Sequence, residues 1–195
     1  MALKDLIKKA RSYRRFDESV KVGMDTLEDI VSCLRYISSA KNLQPLKYVL
    51  CSNREVGLRI FSTLQWAGYL SDWKGPAEGE RPVAYIVILK DRNISNENYV
   101  CYDAGIAIQT IMLLLVERGL GGCTIAAIDR ERLSEILELE KHLEILCVVA
   151  IGKPSENVVV VDAKDGEIRY YRDEKGTHYV PKRPVGELIY KKIPE

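Results

Sequence analysis

The sequence predicts a layered domain in which helices and strands interleave, of the α/β or α+β type. Three observations lead there. Residues 83–89 and 145–151 are almost uninterrupted apolar runs of strand length, as expected for strands covered on both faces. Between them lie segments whose apolar residues recur at three- and four-residue steps, the period of an amphipathic helix. The composition, 47% hydrophobic and 29% charged over 195 residues, allows a sizeable core under an ordinary charged surface.

Taken in order, residues 2–10 alternate Leu and Lys at helical spacing and predict a short helix, with a connector over 17–23. Asp25 or Thr26 is expected to cap the next helix, whose Leu27, Ile30, Val31, Leu34 and Ile37 share one face. It should stop near Ser38-Ser39, because Asn42 and Pro45 discourage continuation. Residues 48–51 predict a strand, and Asn53 caps a helix through about Gln65. The stretch 66–82 holds both tryptophans, Trp66 and Trp73, with Gly68, Gly75, Pro76, Gly79 and Pro82. It reads equally as a binding wall or subunit contact and as a surface loop pinned by two indoles. After strand 83–89, residues 103–118 predict a largely apolar helix, buried nearly all round and ended by Gly119-Leu120-Gly121-Gly122. Asp129 caps a helix that turns Leu133, Ile136 and Leu137 inward. Strand 145–151 closes at Gly152-Lys153-Pro154. A hairpin follows, from 158–161 through an Asp165-Gly166 turn to 168–171. No repeat, low-complexity tract or linker intervenes, so a single domain over 1–195 is expected.

A net charge of +1 argues against nucleic acid or a membrane surface as a partner held by bulk field. The five cysteines are odd in number, scattered and mostly within apolar runs. They predict reduced, buried thiols and a cytoplasmic location, with neither a disulfide framework nor a metal site. Leu3-Lys4-Asp5-Leu6 carries charge where a signal peptide would be apolar, and the run 104–116, broken by Gln109, falls short of a membrane span. Gly119-Leu120-Gly121-Gly122 follows a helix and lacks the last glycine of a dinucleotide fingerprint, so it reads as a helix end and turn. Gly152-Lys153 has no glycine at P-loop spacing before it. His142 and His178 are isolated and expected at the surface. Cys123, after two glycines, has no evident base and reads first as a buried thiol. With few acids, bases or nucleophiles in place, no side chain is assigned a catalytic role; a bound cofactor is expected to carry the chemistry.

Anion-holding residues are better supplied. Arg11-Ser12-Tyr13-Arg14-Arg15-Phe16 places three guanidinium groups and a hydroxyl in one short stretch. That is either a solvated basic turn or a phosphate grip. A second stretch, Ser38-Ser39-Ala40-Lys41-Asn42-Leu43-Gln44-Pro45-Leu46, offers the amides of Asn42 and Gln44, able to read the donor and acceptor edge of a heterocycle. A third, Pro181-Lys182-Arg183-Pro184, adds positive charge near the end of the chain.

These stretches resemble the FMN-dependent nitroreductase family over essentially the whole chain. Arg11-Ser12-x-Arg14-x-Phe16 is similar to the family's phosphate segment, and Ser38 to Pro45 to its Ser-x-x-Asn-x-Gln-Pro turn. Asp103-Ala104-Gly105 with Gln109 and Gly119-Leu120-Gly121 resembles its long helix and glycine-rich exit, and Lys182-Arg183-Pro184 with Leu188-Ile189 its closing basic segment. The resemblance implies an α+β three-layer fold, with a central, mainly antiparallel sheet between helices, and a homodimer formed through the long helix. It implies bound FMN, NADH or NADPH as transient reductant, and a nitroaromatic, quinone or similar small molecule as acceptor. Arg11, Ser12, Arg14 and Arg183 would hold the phosphate and ribityl end. Asn42 and Gln44 would contact the ring or ribityl chain. The loop Thr124 to Ala127, including Ala126 and Ala127, would turn backbone N–H groups to the flavin. Arg15 falls at a variable position. A flavin-binding protein without turnover is the alternative. Departures are Ala10 where a further basic residue is common, Leu46 where an aromatic is common, and Ala126 where some members are acidic. The expected hairpin of 157–172 adds to the shortest members, and 181–195 is expected to form a C-terminal extension.

Overall fold

The computed structural model describes residues 1–70, 72–95 and 98–194, so Ser71, within the loop expected over 66–82, lies outside the described residues. The chain divides into two compact units: residues 1–66 with 74–155, and residues 67–73 with those from 156 onward. The first unit runs α1 (Leu3–Lys9), β1 (Phe16–Asp17), α2 (Met24–Leu34), a 3-10 turn (Ala40–Asn42), β2 (Leu46–Cys51), α3 (Arg54–Phe61), β3 (Ala84–Asp91), α4 (Val100–Glu117), β4 (Gly121–Ile125), α5 (Arg130–Ile136) and β5 (Leu143–Pro154).

β5 is the centre of the sheet. It pairs with β3 along one edge and with β4 and β1 along the other, and β2 lies beyond β3. Every pairing between these strands is antiparallel, which decides for α+β over α/β. The apolar runs sit where their composition demands: residues 84–89 of β3 and 147–151 of β5 are buried on both faces. Ile86 and Ile88 face one way and join Leu27, Ile30 and Leu34 of α2 and Ile111 and Leu115 of α4 in one core. Tyr85 faces the other way, onto α3, where a Cβ on Gly57 would lie 3.2 Å from its ring. Helices therefore cover both faces of the sheet, giving three layers.

Several boundaries differ from expectation. α2 has Gly23 at its N-cap, and Asp25 sits in the first turn, where the helix dipole favours a carboxylate. Asn53 does cap α3, accepting from Val56 N at 3.0 Å, but the helix stops at Phe61. The residues beyond are drawn off by tertiary pairing: Gln65 N donates to Ala127 O at 3.0 Å, and Leu64 bridges Ile128. Gly119, with φ +69°, ends the turn after α4, yet Gly121 and Gly122 open strand β4, which propensity concealed. α4 is long and apolar enough to cross a membrane by composition, but packs on the sheet. It is not buried all round: Tyr102 and Ile106 are exposed.

The second unit carries β6 (Val158–Asp162), β7 (Tyr171–Arg172), β8 (His178–Lys182) and α6 (Val185–Leu188). The hairpin expected over 157–172 does not form from its own two arms. Asp165 and Gly166 do turn the chain, with Glu167 N donating to Lys164 O at 2.9 Å. β6, however, pairs with β8 in parallel and β7 pairs with β8 antiparallel, so β8 lies between the two arms. A valine run such as 158–161 suits any neighbouring strand, and a later one is the partner here. His178, expected at the surface, is fully buried on this central strand, with Tyr170 beside it at 5.3 Å between ring centres. Tyr69 packs on Tyr170, and the Arg172 guanidinium lies 4.3 Å from the Trp73 ring centre while its Nη2 meets Glu156 Oε2 at 2.8 Å. Trp66, in the first unit, is buried against Phe61. The two indoles thus pin their own units. All five cysteines are free, and Cys101 is exposed while Cys51, Cys123 and Cys147 are buried.

Candidate functional site

The basic stretch is held rigidly against the sheet. Ser12 bridges Gly122 of β4, Tyr13 N donates to Gly122 O at 3.0 Å, and Ser155 N donates to Arg15 O at 3.1 Å. The close approach requires glycine: a Cβ on Gly121 would lie 2.6 Å from Tyr13 Cδ2 and 2.6 Å from Pro154 Cγ. Of the three guanidiniums, that of Arg15 pairs with Glu80, Nε to Oε2 3.3 Å. Arg14 Nη1 donates to Ser12 O at 3.2 Å. Arg11 Nη2 donates to Ile7 O at 2.8 Å, so its only hydrogen bond among the described residues is to a neutral carbonyl closing α1. Arg11 Nε is buried without a hydrogen-bond partner among the described residues. A buried N–H of a cation left unmatched costs about 1–3 kcal/mol or more, and a phosphate oxygen is its natural acceptor. The donor set therefore fits a phosphate ester.

The Asn42–Gln44 stretch is a strained turn. Lys41, Asn42 and Gln44 have φ of 52°, 56° and 53°, left-handed values that cost L-residues about 1–2 kcal/mol each. What holds it is a carboxylate in the first turn of α4. Asp103, only 3% exposed, accepts from Ser39 Oγ at 2.5 Å and from Ala40 N at 3.0 Å. Ser39 Oγ in turn accepts from Gln44 N at 2.9 Å, and Gln44 Nε2 donates to Asn42 O at 3.0 Å. Asn42 and Gln44 themselves are exposed. Beneath the turn is a cavity of about 320 Å³ lined by Ser39, Gln44, Leu46, Tyr48 and Asp103 among others. Burial, and then the charge of Asp103, push the Tyr48 hydroxyl up to about 12. Sequence reading had placed Asp103 in a motif without giving it a task. The available signal was one acidic residue inside an otherwise apolar helical run.

Ala126 and Ala127 follow β4 directly and are exposed. Arg130 fixes this loop from behind: Nη2 donates to Ala126 O at 3.0 Å and Nε to Ile145 O at 3.0 Å. Arg130 was not singled out from the sequence; nothing separates it there from any basic residue beside an N-cap.

The structure thus brings Arg11, Ser12 and Arg14 alongside the strand that leads, four residues on, to Ala126 and Ala127. Asn42 and Gln44 stand elsewhere in the chain. Their turn is anchored at Asp103, whereas Gly122 abuts Met112 and Leu115, nine and twelve residues further along α4. At about 1.5 Å per residue the two anchors are roughly 13–18 Å apart along the helix. Arg183 lies in the second unit, exposed and paired with Glu187 at 3.0 Å.

The protein is thus an α+β domain, an antiparallel sheet with helices on both faces, with a basic stretch bridged to β4 and a polar turn tied to its longest helix. The sequence model of the Nitroreductase family matches residues 7–153, three quarters of the chain, and the protein belongs to that family. Solved structures agree on the fold. A putative nitroreductase in complex with FMN from Desulfovibrio desulfuricans superposes with a TM-score of 0.72 at 18% identity, covering 100% of this chain and 99% of that one. The nitroreductase family protein of Streptococcus pneumoniae gives 0.71 at 18% identity, over 98% and 100%. An FMN-dependent nitroreductase of Clostridium difficile gives 0.63 at 22%, over 80% and 89%. No curated protein matches the chain at a significant level.

Proposed function

We propose that the protein is an FMN-dependent oxidoreductase that takes hydride from NADH or NADPH and delivers reducing equivalents to a nitroaromatic, a quinone or a similar acceptor. The observation that carries this reading is Arg11, whose Nε is buried without a hydrogen-bond partner and whose charge meets no carboxylate among the described residues, beside β4 in a chain of this family. Bound FMN would supply the hydride chemistry. The residues present supply grip and orientation. Arg11 and Arg14 would bind the phosphate, with Ser12 donating its hydroxyl and Arg183 as a further cation. The surface pair of Arg183 with Glu187 contributes about 0–1 kcal/mol. Backbone N–H groups at Ala126 and Ala127 would meet the ring, on a loop that Arg130 keeps in place.

The same reading makes the active species a homodimer. An exposed groove of about 550 Å³ on α4, lined by Tyr102, Gly105, Ile106 and Gln109 among others, leaves apolar surface uncovered in the single chain. A two-fold contact there would bring the Asn42–Gln44 turn of one protomer towards the basic stretch of its partner.

Purified protein mixed with FMN should bind about one flavin per chain and, under anaerobic conditions, bleach the flavin absorbance on adding NADH or NADPH. A protein that ignores FMN refutes the assignment, and one that binds it but is reduced by neither nicotinamide is a flavin carrier without turnover. Light scattering at micromolar concentration should report a dimer, and Ile106→Asp a monomer.

A further inference from the structure

We infer that Asp103 and Ser39 form a positioning relay that presets the Asn42–Gln44 turn to meet the flavin ring. The inference rests on the flavin reading above and goes beyond it by giving a task to two residues that reading leaves unassigned. The turn holds three non-glycine residues in left-handed backbone within four positions, a conformation that persists only where the surroundings overdetermine it. The surroundings here are two groups. One Asp103 oxygen takes the Ser39 hydroxyl proton at 2.5 Å, and the other takes Ala40 N–H at 3.0 Å. With its proton committed to Asp103, Ser39 Oγ presents a lone pair to Gln44 N at 2.9 Å, five residues on. The relay therefore closes the turn at both ends, Ala40 and Gln44, from a single carboxylate. Lys41 and Asn42 between them, and Gln44 itself, are left exposed. A carboxylate is needed because both partners donate. An amide at 103 would set its own N–H₂ against one of them. A buried charge on an apolar helix is costly unless it is matched in this way, so its place there is accounted for by the turn it holds.

The test uses the full-length protein and compares FMN with riboflavin, which has the ring and ribityl chain but no phosphate. Ser39→Ala and Asp103→Asn should each weaken both flavins by a similar factor, about tenfold for one lost ordering hydrogen bond, and shift the visible absorption of bound flavin. Ser39→Thr, which keeps the hydroxyl, should restore affinity and spectrum. In apoprotein the first two variants should be cut by trypsin after Lys41 faster than the parent, and Ser39→Thr should not. Faster cleavage with unchanged affinity and spectrum would overturn the inference, as would a loss confined to FMN, which would place the effect at the phosphate. Should Asp103→Asn fail to fold, Ser39→Ala and Ser39→Thr carry the comparison alone. Failure of the parent protein to bind either flavin would instead refute the functional reading, and the relay's role with it.

Discussion

Arg15 Nε sits 3.3 Å from Glu80 Oε2, and this one contact divides the basic cluster. A guanidinium paired with a carboxylate adds little net charge to its surroundings, whereas Arg11 meets no carboxylate among the described residues and donates to the neutral Ile7 carbonyl. Arg11→Ala and Arg14→Ala should each weaken FMN binding by about 1.5–3 kcal/mol, the range for a hydrogen bond to a charged group, and Arg15→Ala by less than about 1 kcal/mol. Fluorescence titration of the three variants checks the order, and an Arg15 effect as large as that at Arg11 would contradict it.

Among the described residues, Arg183 is held only by an exposed pair with Glu187. If it serves the phosphate, Arg183→Ala should cost FMN about 1.5–3 kcal/mol and leave riboflavin untouched. Equal affinity of variant and parent for FMN removes it from the site.

Gly121 couples the sheet to the basic stretch. A methyl group there collides with Tyr13 and Pro154 at 2.6 Å, so Gly121→Ala should displace Tyr13 and with it the basic stretch that holds Arg11 and Arg14. Overpacking of this kind costs about 1–3 kcal/mol of stability. FMN affinity should fall as well. A thermal melt paired with a flavin titration reads both effects.

Glu144 accepts a short contact from Lys90 Nζ at 2.8 Å, and the hydrogen bond to Lys90 is the main reason its carboxyl titrates below the usual range, with Arg92 adding to it. A carboxylate with a lowered folded-state pKa contributes stability above its unfolded value and loses it as pH falls through the folded one. The Glu144→Gln variant should therefore be less stable than the parent near neutrality, and the difference should vanish in acid. Denaturant melts at several pH values test the sign.

The helices and the two central strands were legible because burial writes itself into periodicity. Runs such as 84–89 and 147–151 can only be covered on both faces, and Asn53 and Asp129 cap helices by accepting from Val56 N and Arg132 N. The basic stretch and the Asn-x-Gln turn were equally visible as residue types. Strand β4 was not, since Gly121 and Gly122 have no strand propensity of their own and are needed for what packs over them: Tyr13 and Pro154 on one, Leu115 and Met112 on the other. Nor was the pairing of β6 with β8, because a run of valines specifies a strand and not its neighbour.

Local chemistry therefore settled which segments are helix or strand and which residues can hold an anion, since those properties reside in side chains a few positions apart. Long-range contact assigned the tasks: Glu80 neutralising one arginine of three, and Asp103 closing a turn sixty-four residues away. No pattern along the chain encodes which distant group arrives at 2.5 Å. That follows from how the sheet stacks its helices, and is settled when the core closes.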